Sequence, residues 1–123
     1  MSVALEYAPA AVLGAPPEVP LYIYRGDSRV WVFRLWADPE RTEPYDLAGV
    51  DVAAQIRRDP DAASAVRLAV EITLPNIVTL HLSAQTSRST PTGRWDMQLT
   101  WPDGRVATAV RGRVAVTPDV THE

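Results

Sequence analysis

Two histidines, no cysteine and a scatter of aspartates are the residues from which a catalytic or metal site could be built. His81 falls on the outward side of an alternating apolar run. No carboxylate or second histidine stands beside it at ligand spacing, so it reads as a solvated side chain rather than a zinc ligand or general base. His122 belongs to the last few residues of the chain. Asp59 and Asp61 flank Pro60, and Asp46 and Asp51 lie either side of Gly49, but neither spacing is that of a calcium loop. Both read as polar turns. The lack of cysteine removes thiolate nucleophiles, thiolate metal ligation and disulfides together. No serine sits in a G-x-S-x-G elbow, there is no P-loop or G-x-G-x-x-G, and nothing singles out a glycosidase-like carboxylate pair. The sequence therefore predicts no enzyme: no catalytic residue, no metal and no cofactor.

Arg25-Gly26-Asp27-Ser28 is a different kind of signal, since integrin receptors read Arg-Gly-Asp in adhesion proteins. Here Gly26 and Asp27 fall between two β-rich runs. A turn at that point needs a residue that tolerates positive φ and a neighbour whose side chain can bond its own backbone. The tetrapeptide reads as turn chemistry. Trp31, Trp95 and Trp101 fall on inward positions and are expected in the core, whereas Trp36 ends a strand and either caps the core or contacts a partner.

The elements that position these residues follow from composition and period. The chain has 123 residues, 46% hydrophobic and 22% charged, which suits one globular domain with a real core. A net charge of -3 advertises no basic surface, so nucleic acid is not an expected partner. No run approaches the ~20 apolar residues that cross a membrane. The N-terminal segment carries Glu6, Pro9, Pro16 and Pro17 and reads as no secretory signal. All 12 basic residues are arginine, a bias of GC-rich coding sequences.

Residues 1–19, rich in alanine and proline, predict an extended arm whose apolar residues Val3, Leu5, Tyr7, Val12 and Leu13 are candidates for burying against a neighbouring subunit. From residue 20 to 121 the period becomes two. Leu21–Tyr24, Val30–Trp36, Val50–Arg57, Val66–Ile72, Ile77–Leu82, Trp95–Trp101 and Arg105–Thr117 alternate apolar and polar residues or are β-branched and aromatic throughout. Turn signals separate them: Gly26-Asp27, Asp46 with Gly49, Gly93, and Asp103-Gly104 after a proline. Gly112 is expected to mark a β-bulge inside the last strand. The polar stretch 83–93 has room for one helical turn. The expected fold is all-β: a seven-stranded antiparallel immunoglobulin-like β-sandwich with an extended N-terminal arm. A closed barrel is the alternative.

The order of these signals resembles a known family. "RGDS" precedes a strong aromatic strand, "PYDLAGVDVAAQIR" places Asp-Leu-Ala-Gly before an alternating strand, and "TGRWDMQLTWPDGRVATAVRGRVAV" closes the domain. Residues 20 to 121 are similar to the β-sandwich domain of phage tail and baseplate proteins, both the LtfC-like domain of actinophage minor tail proteins and the N-terminal domain of baseplate upper proteins. The resemblance implies a virion structural protein, a minor tail or tail-tip subunit that docks a tail hub and a fibre or receptor-binding protein. It further implies a multimer whose partners are other tail and baseplate proteins, with only indirect contact to the host surface. The alternatives are a secreted adhesion or carbohydrate-binding module and a capsid decoration protein.

Overall fold

The computed structural model describes residues 15–118 in full and the backbone of residues 5–7. In chain order the elements are β1 (Leu5–Tyr7), β2 (Leu21–Tyr24), β3 (Arg29–Leu35), β4 (Asp51–Arg57), β5 (Val66–Thr73), β6 (Ile77–Leu82), α1 (Ala84–Arg88), β7 (Gly93–Thr100) and β8 (Val106–Thr117). Each of the seven strands expected from the alternation is present, and β1 is an additional one within the arm. The fold is all-β with one short helix.

Strand order along the ladder is β1-β3-β6-β5-β4-β7-β8-β2. The ladder doubles back at β5, which serves two layers. Val66 and Leu68 pair with Ile56 and Ala54 of β4, and from Ala69 onward the partner is β6. The inner faces meet where Phe33 of β3 lies against Trp95 of β7, ring centroids 5.6 Å apart. Around them Leu21, Ile23, Leu35, Ile56, Leu80 and Met97 are fully buried. This is what period two requires: one side of each strand is withdrawn from water, at roughly 25 cal/mol per Å² of apolar surface.

The pairing corrects one expectation. The ladder is mixed rather than wholly antiparallel, because β1 runs parallel to β3 and β2 parallel to β8. Hairpins force antiparallel neighbours, but strands far apart in sequence are free of that constraint. Leu21 pairs with Val114 across almost the entire domain.

A second correction concerns Gly112. The register of β7 and β8 shifts between Met97 and Gln98, whose partners are Val110 and Thr108. The extra residue is therefore Ala109, and Ala109 and Val110 are both buried. Gly112 pairs regularly with Trp95. Its glycine is required by close approach: a Cβ there would stand 2.0 Å from the Val19 carbonyl oxygen.

Trp31 and Trp95 are buried. Trp101 is only half-buried at the core margin, with the Arg105 guanidinium 4.4 Å over its ring. Trp36 lies just beyond β3 in an isolated bridge to Pro44, and its Nε1 is buried with no partner among the described residues.

Candidate functional site

The predicted turn residues fall at two ends of the domain. The register sets Asp51 opposite Thr100 at one end of β4 and Arg57 opposite Arg94 at the other. At the first end Asp46 accepts the Ala48 N–H at 2.9 Å, and Val50 N–H closes on Leu47 carbonyl at 3.1 Å with Gly49 at φ 75°. Asp103 accepts the Arg105 N–H at 2.9 Å, and Gly104 sits at φ 90°. At the second end Gly93 faces the Arg57 carbonyl, which a Cβ would meet at 2.0 Å.

The Arg-Gly-Asp turn is held from behind. Asp27 N–H donates to Tyr24 carbonyl at 2.9 Å, with Gly26 at φ 95°. Gly26 N–H donates to Ser87 Oγ at 2.7 Å, and Arg25 Nη2 reaches back to Thr90 carbonyl at 3.4 Å. Ser87, on α1, is fully buried. The helix, capped by Ser83 accepting the Thr86 N–H, exists in part to hold this turn. Nothing in sequence spacing ties Ser87 to Gly26, because the contact is long-range. Asn76 was equally illegible: it is buried and donates from Nδ2 to the Leu35 carbonyl at 2.8 Å.

The residues weighed for chemistry stay apart. His81 Nε2 lies 3.7 Å from Glu71 Oε1 with both side chains exposed. Asp59 accepts the Asp61 N–H at 3.0 Å, a local polar turn. Among the described residues no three metal-ligating side chains gather, and no helix is long and apolar enough to cross a membrane. His122, Val3, Val12 and Leu13 lie outside the described residues, and of Leu5 and Tyr7 only the backbone is described.

Sequence reasoning missed a cluster on the outer face of β4, β7 and β8. A cavity of about 310 Å³ there is lined by Gln55, Arg57, Arg94, Asp96, Thr108 and Arg111, and bounded by Pro16. The signal was available in outward positions two apart: Gln55 and Arg57, Arg94 and Asp96, Arg111 and Arg113. Net charge conceals such a cluster, because it averages over the whole surface. Glu18 bridges two of the arginines, with Oε1 3.3 Å from Arg111 Nε and 3.8 Å from Arg94 Nη2.

Asp96 is the strained member of the cluster. Its Oδ1 is buried without a hydrogen-bond partner among the described residues. Burial pushes its carboxyl above the ordinary aspartate value of 3.8, and the Arg57 charge pulls it back only in part. A raised native pKa favours folding fully below the unfolded value, and that contribution is lost as pH rises through the native value. Asp96→Asn is therefore expected to raise Tm at pH 7 and leave it nearly unchanged at about pH 3, where both forms are neutral. Thermal melts at the two pH values check this; a lower Tm at pH 7 would mean that the Arg57 attraction outweighs desolvation.

The sequence matches no family model and no curated protein. Among solved structures, the N-terminal domain of phage TP901-1 ORF48 superposes with a TM-score of 0.56 at 9% identity, covering 93% of this chain and 98% of that one. The chain has the fold of a phage protein domain. At that identity the likeness is one of fold.

Proposed function

We propose that the chain is a non-enzymatic structural subunit of a phage virion, placed in the tail tip or baseplate, where it docks a tail-hub protein and a fibre or receptor-binding protein. The observation that carries this reading is the fold shared with the phage TP901-1 ORF48 domain over nearly the whole of both chains. The edges of the ladder favour it. β1 and β2 end the strand order, so each leaves one side unpaired among the described residues. An unpaired edge is where a neighbouring chain adds a strand. Tyr22 and Tyr24 project from β2, 58% and 57% exposed, and tyrosine is enriched at protein interfaces.

In the assembly the arm's Val3, Val12 and Leu13 bury against a neighbouring subunit, while Leu5–Tyr7 pairs with β3 of its own chain. The subunit acts as one of several copies, its partners are other tail proteins, and its contact with the host is indirect. The adhesion reading has less behind it, because Arg25 is turned onto Thr90 rather than presented beside Asp27. A carbohydrate platform would need exposed tryptophans, and Trp31 and Trp95 are buried.

Immunogold labelling of purified particles with antibody against this domain tests the reading. Gold at the distal end of the tail is expected. Gold on heads alone, or a protein found only in the host secretion fraction, would overturn it.

A further inference from the structure

The arginine-lined cavity has no part in strand addition, yet its composition is specific. Arg57, Arg94 and Arg111 come from three adjacent strands and face the same side of the sheet. Arg57 hydrogen-bonds neutral groups, Nη1 donating to Ala62 carbonyl at 2.5 Å and Nη2 to Gln55 Oε1 at 3.5 Å, while its charge also acts on Asp96. Arg113, paired in register with Arg94, has no ion-pair partner among the described residues. Of the nearby carboxylates, Asp96 lines the cavity, Glu18 bridges two of its three arginines, and Asp59 and Asp61 flank the lining Pro60.

Glu18 is the informative one. It does not belong to the sheet body but to the segment running beside β8, bridged to Arg111, and its side chain is 54% exposed. It enters the cluster as a detachable carboxylate, held by two guanidinium groups and by no buried contact. The geometry points to a binding site for an extended acidic segment of a partner protein, with Glu18 occupying the place of one of its carboxylates. Guanidinium groups match carboxylates in charge and planar geometry. Gln55 and Thr108 add neutral hydrogen-bonding groups suited to peptide amides, and Pro16 and Pro60 add apolar wall. A cavity of about 310 Å³ accommodates a few side chains of a strand, not the surface of a domain. Glu18 and Asp96 repel carboxylates and phosphates alike; what favours a peptide over a phosphodiester backbone is the small bounded cavity with neutral Gln55 and Thr108 in its lining.

This inference does not depend on the virion reading, since the test reads the cavity of the isolated full chain. The probe is a fluorescein-labelled hexaglutamate peptide followed by anisotropy at low salt. Binding is expected to weaken at least about tenfold in Arg94→Ala/Arg111→Ala, from the loss of charge-assisted hydrogen bonds. It is expected to tighten about threefold in Glu18→Gln, which removes the competing internal carboxylate while keeping its size. Both arginines are about half exposed, so the double variant should fold, as far-UV circular dichroism will verify. Glu18→Gln supplies an independent readout if it does not. No binding to either wild type or Glu18→Gln, equal binding by the double arginine variant, or tighter binding of an oligouridylate of equal charge would each overturn the assignment.

Discussion

Gly112→Ala is expected to destabilise the fold by about 3 kcal/mol or more, a larger effect than its single added methyl suggests. The new Cβ would lie 2.0 Å from the Val19 carbonyl oxygen, 2.6 Å from its carbon and 3.0 Å from its nitrogen. All three are backbone atoms, so no side chain can rotate away. Val19 is also pinned in place: its N–H donates to Arg111 carbonyl at 2.8 Å, and its carbonyl accepts Trp95 Nε1 at 2.8 Å. To admit the methyl, residues 17–19 must leave β8. Those hydrogen bonds are then lost, at about 1 kcal/mol each, and the buried Val19 is exposed. Urea denaturation should show a lower midpoint with little change in slope. Gly104→Ala provides the contrast. It meets nothing within 4 Å and should cost only the strain of φ 90°, about 1 kcal/mol. If the two variants lose the same small amount, close approach at Gly112 is not what the residue is for.

Phe33→Ala should cost about 3–5 kcal/mol, a large part of the roughly 5–15 kcal/mol that holds a domain together. Phe33 has no exposed surface and stands in the middle of β3, between Leu5 of β1 and Val78 of β6. Its ring is the link between the layers, tilted 44° against Trp95. Truncation leaves a cavity bounded by regular ladders on both sides, which cannot collapse without breaking their register. The loss is measurable by equilibrium unfolding followed through tryptophan emission. A loss below about 2 kcal/mol would mean that the layers close over the gap.

Both sites show what sequence could and could not convey. Phe33 was legible, because Trp31, Phe33 and Leu35 alternate with Val30, Val32 and Arg34, and a strand with one wet side has to alternate. Gly112 was legible as a special position but not for its reason. A bulge explains a strand glycine locally, whereas Val19 is brought there by the path of a distant segment. The true bulge left a local trace: inward residues shift phase, from Ala107 and Ala109 to Val110, Gly112 and Val114. At β5 there was no trace at all. Val66, Leu68, Val70 and Ile72 keep their period unbroken while the strand changes partners between Leu68 and Ala69. Alternation records which side of a strand faces inward, and is silent about which neighbour it bonds.

The arginine cavity follows the same division. Its members could be recognised in the sequence as outward residues of three strands, but their meeting depends on the antiparallel register that sets Gln55 beside Asp96 and Asp96 beside Arg111. By itself the sequence determined seven of the eight strands, the turns between them, the buried side of those strands and the lack of a sequence motif for catalysis, because those properties depend on side-chain type and spacing within a few residues. The tertiary structure alone decided the parallel pairing of β1 and β2, the doubling of the ladder at β5, the docking of Gly26 on Ser87 and the clustering of Arg57, Arg94 and Arg111 around Glu18. Each depends on contacts between segments tens of residues apart, whose proximity is set by the global balance of burial and backbone pairing rather than by any local preference.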